Sequence, residues 1–225
     1  TIVCSLKACG CIGAIDKGEE LHAEIERQGL LEKDLVLANA LVDMYAKCGL
    51  LVKAQQVFDR IQNRDVISWN SLIMGYAQLG ESENVVSIFE RMVSERVNPN
   101  SVTFLVLLSA CCHCTSIFSK SKTYFEAMSQ KFGIEPTLEH HTCMVNFLTR
   151  AGNFDKAISM IKKMPFSPDL AVWHIILGAC QKWGNLEVGT LAFEYAVQLR
   201  EEDQIAYICL SNIYAFANVR EFQKS

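Results

Sequence analysis

The chain has few residues of the kinds that interrupt a continuously packed helical protein. Only 4 of its 225 residues are proline, and no glycine-rich or serine-rich segment separates one part from another. Hydrophobic residues make up 50% of the sequence and charged residues 20%, a balance typical of a chain that packs along its whole length. We therefore expect no flexible linker.

No apolar segment is long enough to cross a membrane. The longest runs from Val102 to Cys112, is interrupted by Thr103 and Ser109, and falls short of the roughly 20 residues that a transmembrane helix needs. It is typical of a buried helix, so we expect no membrane partner. The chain begins and ends within helical patterns and carries no basic leader, which predicts a fragment of a longer protein.

Positive charge is not in excess. The 21 basic residues face 25 acidic ones, whereas a nucleic-acid-binding domain commonly carries a dense basic stripe. The basic side chains that could still line a groove are scattered: Lys47, Lys53, Lys120, Lys122, Arg150, Lys156, Lys162, Lys163 and Lys182. Binding to a nucleic acid would therefore depend on few phosphate contacts.

Signatures of catalysis and of metal binding are also missing. No Ser/His/Asp arrangement and no glycine-rich phosphate loop stands out. His22 and Glu24 match the H-x-E half of a zinc deaminase site, but no proline is followed by cysteine as the other half requires. The cluster of Cys111, Cys112, His113 and Cys114 lacks a second chelating pair. We predict no enzyme activity, no metal and no cofactor.

The 10 cysteines are better explained as small core residues than as disulfides or ligands. Eight fall on the packed face or at the end of a predicted helix: Cys9, Cys11, Cys48, Cys111, Cys112, Cys143, Cys180 and Cys209. His140 and His141 likewise indicate the start of a helix rather than a pair of ligands.

A repeat, in contrast, runs through the whole sequence. Small junctions recur at steps of 36, 31, 35, 37, 32 and 34 residues: Gly13, Gly49, Gly80, Thr115, Gly152, Gly184 and Asn218. An apolar stripe with helical spacing precedes each junction and a second stripe follows it, as with Ala54, Val57 and Phe58. Two short helices cannot bury such stripes alone, so we predict stacked helical hairpins in a single repeat domain.

The stripes and glycines predict four helix pairs in particular. They lie near 36–47 and 50–61, 67–78 and 81–94, 138–150 and 153–163, and 171–182 and 185–199.

The repeated phrases Asn39–Gly49, Asn70–Gly80 and Thr142–Gly152 resemble the pentatricopeptide repeat family, in particular its plant PLS subclass. The resemblance divides the chain into seven motifs: L-like 1–34, S-like 35–65, P-like 66–100, L-like 101–137, S-like 138–169, a first E-like motif 170–203 and a truncated second one 204–225. It implies an all-α, right-handed α-solenoid of helix-turn-helix repeats. Tetratricopeptide repeats are the less favoured alternative because they keep a fixed period of about 34 residues.

The resemblance implies that each hairpin contacts one base of single-stranded RNA through the fifth and last residues of its motif. The pairs are Asn39 with Asp65 for uridine, Asn70 with Asn100 for a pyrimidine, cytidine more than uridine, and Thr142 with Asp169 for guanosine. Asparagine offers both donor and acceptor to a pyrimidine, whereas threonine leaves room for a purine and aspartate accepts from guanine. With the N-terminus over the RNA 5′ end, residues 35–169 should prefer 5′-U-(C/U)-N-G-3′.

The second residue of each motif is implied to cover a base face. Val36, Ile67 and Val102 suit this role, and Glu139 suits it poorly. The two L-like motifs offer Val3 with Asp34 and Leu105 with Thr137, and we assign them no base because their fifth residues are apolar.

From the residues alone, a structural role is an alternative explanation of the same positions. Asn39 and Asn70 would be polar residues near helix starts, and Asp65 and Asp169 would be caps of the following helices.

Two functions therefore remain open. The resemblance implies a sequence-specific single-stranded RNA-binding segment of an organellar RNA-processing factor, in the mitochondrion or chloroplast, that specifies cytidines for C-to-U editing through an attached or recruited deaminase. Acidic residues in the E-like motifs favour protein partners there: Glu187, Glu194, Glu201, Glu202 and Asp203. The alternative function is a helical-repeat scaffold that binds a peptide or protein in its groove.

Overall fold

The computed structural model describes residues 2–113 and 118–222. In these ranges the backbone forms thirteen α-helices, one short 3₁₀ segment (Phe118–Lys120) and no strand. The helices are α1 (Ile2–Ile12), α2 (Ile15–Arg27), α3 (Leu35–Lys47), α4 (Leu51–Arg60), α5 (Val66–Gln78), α6 (Ser82–Ser94), α7 (Ser101–His113), α8 (Ser121–Gln130), α9 (Leu138–Arg150), α10 (Phe154–Lys163), α11 (Leu170–Trp183), α12 (Leu186–Leu199) and α13 (Gln204–Phe222).

The four predicted helix pairs are confirmed, and every bound lies within about one residue of the prediction. The glycine junctions explain this accuracy. At Gly49 and Gly80 the backbone φ angles are 77° and 76°, in the left-handed region that glycine enters without steric cost, so the first helix of the hairpin ends there.

Asn218 was wrongly predicted as a junction. It lies inside α13, which continues to Phe222. Asparagine tolerates the left-handed conformation but does not require it, so the helix has no obligatory stop at this residue. The predicted junction at Thr115 lies outside the described residues.

The chain divides into two compact units, Thr1–Glu135 and Pro136–Ser225. In the first unit, α1, α3, α5 and α7 pack side by side, and each also packs against the second helix of its own hairpin. In the second unit, α9, α11 and α13 pack in the same way, with α10 and α12 as second helices. Stacking of hairpins is therefore confirmed within each unit, whereas a single domain over residues 1–225 stays a prediction.

Each unit has its own hydrophobic core. In the first, Trp69 of α5 is fully buried and meets Phe58 of α4 edge to face, with the ring centroids 4.8 Å apart. In the second, Trp173, Ile176 and Leu177 of α11 are buried against α9 and α12. The apolar stripes seen in the sequence thus supply the contacts between neighbouring helices.

Most of the cysteines predicted to pack do so. Cys9, Cys111, Cys112 and Cys180 are buried, and burial raises the pKa of the Cys180 thiol to about 12. Cys48, Cys143 and Cys209 are half-buried. Cys11 was wrongly predicted to pack: it is exposed, because Cys9 and Gly10 occupy the buried side of α1.

Residues 2–113 and 118–222 bear on metal binding and on membrane insertion. In this part of the chain no three His, Cys, Asp or Glu side chains form a group able to hold a metal ion; Cys114 lies outside it. None of its helices combines the length and hydrophobicity needed to span a membrane.

Candidate nucleic-acid interface

The predicted pair Asn39 and Asp65 is joined by a hydrogen bond. Asn39 lies on α3, Asp65 is the N-cap of α5, and the Asn39 Nδ2 donates to Asp65 Oδ1 over 3.2 Å. The same oxygen accepts from the backbone N–H of Ser68 at 2.8 Å and from its hydroxyl at 2.9 Å. Burial raises the pKa of the Asp65 carboxyl, but these bonds and one from the Ile67 backbone outweigh it, so the pKa is lowered.

A cleft of about 280 Å³ opens beside this pair, between α1, α3 and α5. Val36 and Ile67 line it, with 63% and 57% of their side chains exposed. Lys7 lines it as well. Asp43 lines it too, so the cleft combines two exposed apolar side chains, two carboxylates, an amide and a cation.

One polar atom at this cleft is unsatisfied. Asn39 is 6% exposed, and its Oδ1 is buried without a hydrogen-bond partner in the part of the chain that the structure describes. A buried acceptor left in this state costs about 1–3 kcal/mol. A ligand that donates an N–H to it would recover that cost.

The second predicted pair, Asn70 and Asn100, is also joined. Asn70 Nδ2 donates to Asn100 Oδ1 over 3.1 Å. Thr103, which is fully buried on α7, donates its hydroxyl to Asn70 Oδ1 over 2.7 Å. Val102, next to Thr103 in the sequence, is 44% exposed.

The third predicted pair is not joined by a hydrogen bond among the described residues. The Thr142 hydroxyl donates to the carbonyl of Leu138 on its own helix at 2.8 Å. Asp169 instead caps α11, accepting from the backbone N–H of Val172 at 3.1 Å. At this hairpin Asp169 is the helix cap that the structural alternative predicts.

The remaining predicted positions are placed on helix starts and faces. Val3 lines the cleft, and Asp34 caps α3. Leu105 is half-buried on α7. Thr137 is the N-cap of α9 and donates to the exposed carboxylate of Glu139, a bond that lowers the pKa of Glu139.

Sequence reasoning missed Ser68, Thr103 and Lys7. Ser68 and Thr103 each lie three residues after the last residue of a motif, the spacing of a capping box. That spacing was a usable signal for helix capping, but it gave no indication that these hydroxyls also contact the paired side chains.

The second helices carry a series of ion pairs. Arg91 of α6 lies 3.4 Å from Asp59 of α4, and Lys120 lies 3.4 Å from Glu90 of α6. Lys53 of α4 pairs with Glu19 of α2 in the same way. Lys53 and Lys120, considered for a nucleic-acid groove, therefore have carboxylate partners on the preceding second helix.

A larger cavity, of about 430 Å³, lies among α2, α3 and α4. Its charged side chains pair with each other, as Lys53 does with Glu19 and Arg60 with Glu26. His22 and Tyr45 share a 2.8 Å hydrogen bond there, and burial lowers the pKa of His22 and raises that of Tyr45 to about 12. Because its charges are already matched, this cavity is a weaker candidate than the smaller cleft.

The structure is similar to the crystal structure of the maize pentatricopeptide repeat protein PPR10 in complex with an 18-nt psaJ RNA element, with a TM-score of 0.71 and 18% identity. The match covers 100% of this chain and 34% of PPR10. It confirms the predicted all-α helical-repeat class; the handedness of the array stays a prediction.

Similar sequences occur among the proteins of Arabidopsis thaliana. One pentatricopeptide repeat-containing protein is 39% identical over 96% of this chain and 40% of its own length. A chloroplastic one is 41% identical over 96% of this chain and 25% of its length, and a mitochondrial one is 38% identical over 96% and 34%. The chain thus spans less than half the length of these relatives.

Profiles of the family match within the chain. The PPR repeat family profile matches residues 64–113, and the PPR repeat profile matches residues 36–66 and 139–167. These ranges contain the two joined pairs and the cleft side chains Val36 and Ile67. Together with the relatives, they show that the chain belongs to the pentatricopeptide repeat family.

Proposed function

We propose that this chain is a single-stranded RNA-binding segment in which the hairpins of residues 35–65 and 66–100 each contact one base. The cleft at Asn39 and Asp65 carries the proposal, because it places hydrogen-bonding groups between two exposed apolar side chains. A base held by stacking on Val36 and Ile67 presents its edge to such groups. The known RNA complex of PPR10 is in keeping with this proposal.

The chemistry at this cleft favours a pyrimidine with an N–H. The unsatisfied Asn39 Oδ1 accepts from the N3–H of uracil after a small rotation of the amide, and this contact would recover the cost of burial. The second N–H of Asn39 Nδ2 is then available to a carbonyl oxygen of the base. Lys7 at the cleft supplies a positive charge for a neighbouring phosphate.

We further infer the more specific role that the family resemblance implies. In this role, residues 35–169 prefer the RNA sequence 5′-U-(C/U)-N-G-3′, and the protein specifies cytidines for C-to-U editing in a chloroplast or mitochondrion. The similarity to one chloroplastic and one mitochondrial relative supports an organellar location. The guanosine at the end of this sequence has the weakest support, because no hydrogen bond joins Thr142 and Asp169 among the described residues.

The second unit favours contact with protein. Its helix α13 exposes Ile205, Ile208 and Tyr214 by 53%, 60% and 45%. Exposed apolar side chains on one helix are more typical of a protein contact than of a nucleic-acid contact. We therefore assign protein partners, such as editing cofactors or a deaminase, to residues 170–225.

The test replaces the side chains of the second pair, Asn70 and Asn100, with the residue types of the third pair, threonine and aspartate. The double variant Asn70→Thr with Asn100→Asp should move the preference at the second base from a pyrimidine towards guanosine, by about 1–3 kcal/mol for a well-made base contact. Competition binding with RNAs that differ at this one base measures the change.

A matched control carries the same chemical changes away from the cleft. Asn84→Thr with Asn63→Asp alters α6 and the loop before α5 and should leave the base preference as it is. Equal binding of the parent protein to every RNA sequence would support the peptide-binding scaffold instead. An unchanged pyrimidine preference in the Asn70/Asn100 variant would contradict the assigned pair.

A further inference from the structure

The two joined asparagines differ in one hydrogen bond. Asn39 and Asn70 occupy the same position of their motifs, and each donates its Nδ2 to the last residue of the motif. The Oδ1 of Asn39 has no partner among the described residues. The Oδ1 of Asn70 accepts from the hydroxyl of Thr103 at 2.7 Å.

The hydroxyl hydrogen of Thr103 can be assigned from its neighbours. Asn100 Oδ1, at 3.0 Å, is its other possible acceptor. That oxygen already accepts from the backbone N–H of Thr103 at 3.0 Å and from Asn70 Nδ2 at 3.1 Å. Asn70 Oδ1 is the nearer acceptor, at 2.7 Å, and no other donor to it is seen among the described residues, so we assign the hydroxyl hydrogen to Asn70.

The same contacts fix which way the Asn70 amide points. A rotated amide would bring its oxygen against Asn100 Oδ1, and two acceptors would face each other. Asn100 cannot rotate in compensation without losing the bond from the backbone N–H of Thr103. The network therefore directs the oxygen of Asn70 to Thr103 and its amide nitrogen to Asn100.

Ser68 shows what happens when the last residue of the motif is a carboxylate. It occupies the position equivalent to Thr103, but its hydroxyl donates to Asp65 Oδ1 at 2.9 Å. A charged oxygen is a strong acceptor, and among the described residues Asn39 Oδ1 has no partner.

We propose that Thr103 is a positioning residue that sets base specificity at the hairpin of residues 66–100. Its hydroxyl takes one of the two lone pairs of Asn70 Oδ1 and holds that oxygen towards α7, so the group that Asn70 offers most readily to a base is the second N–H of its Nδ2. Cytosine presents acceptors at N3 and O2, whereas uracil presents a donor at N3, so the arrangement favours cytidine over uridine. Thr103 is fully buried and acts through Asn70 without touching the RNA.

This inference rests on the proposed function, namely that Asn70 contacts a base. The test compares Thr103→Val, which keeps the shape and removes the hydroxyl, with Thr103→Ser, which keeps the hydroxyl. Competition binding measures the ratio of Kd values for RNAs with uridine or cytidine at the second base. We expect Thr103→Val to shift this ratio about threefold to tenfold towards uridine, the effect of one hydrogen bond, and Thr103→Ser to retain the parent ratio.

Ser68→Ala is the matched control. It also removes a buried hydroxyl from the first turn of a helix, but that hydroxyl does not contact Asn70. It should leave the ratio at the second base unchanged. Circular dichroism and thermal melting of each variant establish that the compared proteins are folded.

A second measurement avoids dependence on Thr103→Val alone. Asn100→Asp introduces a carboxylate that should draw the hydroxyl away from Asn70, as Asp65 does with Ser68, and so shift the ratio towards uridine by itself. Adding Thr103→Val to Asn100→Asp should then give little further shift, because Asn70 has already lost its donor. Fully additive shifts would overturn the role of Thr103.

The outcomes separate the two proposals. A parent protein that binds all four bases equally at this position would overturn the proposed function, and the role of Thr103 with it. A parent preference for cytidine that Thr103→Val leaves intact, or that it weakens only by lowering affinity for both RNAs equally, would overturn the role of Thr103 alone.

Discussion

Asp65 shows that the structural and functional explanations of one residue need not compete. Its carboxylate caps α5 through the Ser68 backbone and also holds the amide of Asn39. The N-cap alternative is therefore correct for Asp65 and Asp169, and at Asp65 capping also positions a side chain at the cleft.

Asp65 should make the stability of the first unit depend on pH in acid. Its pKa is lowered in the folded protein from an ordinary value of 3.8, so the ionised form stabilises the fold above that pH. This contribution is lost as the pH falls below 3.8 and through the lowered pKa. We expect Asp65→Asn to reduce the free energy of unfolding by about 1 kcal/mol at pH 7, because an ionised acceptor forms stronger hydrogen bonds than a neutral one.

Urea denaturation at pH 7, 5 and 3 measures this effect. The difference between parent and Asp65→Asn should be similar at pH 7 and 5 and narrow at pH 3. Asp155→Asn, in the first turn of α10, controls for loss of a negative charge near a helix start. A difference that widens in acid would contradict the assignment.

The hydrogen bonds of the candidate site residues were not predictable from the sequence. The family resemblance pointed to Asn39, Asp65, Asn70 and Asn100, and the structure joins them as two pairs. It gave no means of seeing that Thr142 bonds to its own helix, because a threonine hydroxyl satisfies itself locally when no partner reaches it.

The helices themselves were the most predictable elements. Apolar stripes with a period near 3.6 and glycines that enter the left-handed region encode a helix and its end locally. Asn218 shows the limit of this prediction. Asparagine permits a helix to end without requiring it, and α13 continues past Asn218 to Phe222. Division into two units was not predictable, since it depends on contacts between elements that share no local pattern.

The helices α3 and α5, each the first helix of its hairpin, approach closely at Gly75, so substitution of Gly75 should destabilise the fold. A Cβ on Gly75 of α5 would lie 2.4 Å from the Ala46 Cβ of α3, too close for two carbon atoms. We expect Gly75→Ala to destabilise the protein by about 1–3 kcal/mol through overpacking, although alanine is the better helix former. Adding Ala46→Gly should relieve the clash and recover part of this loss.

Gly178 is the matched control on α11, where a Cβ would meet nothing within 4 Å. Gly178→Ala should therefore stabilise by about 0.5–1 kcal/mol through helix propensity alone. Chemical denaturation of the three variants measures the effects. Changes of the same sign at Gly75 and Gly178 would contradict a close helix approach at Gly75.

At the scale of the whole molecule, charge bears on the proposed RNA binding. The net charge is −4, and some lysines, such as Lys53 and Lys120, are paired with carboxylates. At the cleft itself, Lys7 is the basic side chain in the lining, so we expect few phosphate contacts there.

The affinity for RNA should consequently depend only weakly on salt. With two or three phosphate contacts, raising monovalent salt from about 50 to 200 mM should lower affinity about 5- to 20-fold. Fluorescence anisotropy with a labelled RNA measures the slope of the logarithm of the binding constant against the logarithm of the salt concentration. Lys7→Ala should reduce the magnitude of this slope by about 0.7, the value for one phosphate on a single strand. Lys53→Ala, on a second helix, should leave the slope unchanged. A thousandfold loss over this range would indicate a basic surface that the structure does not show.

The hydrogen bond from Thr103 to Asn70 crosses a motif boundary, which bears on how such proteins evolve and are engineered. Duplicating or transplanting residues 66–100 would copy Asn70 and Asn100 but leave behind the hydroxyl that orients them. The segment that would have to be moved as a unit therefore begins at the fifth residue of one motif and ends at the third residue of the next. If these hairpins contact bases as proposed, recombination that respects this frame would transmit a base preference intact, and recombination at the motif ends would make it depend on the neighbouring motif acquired.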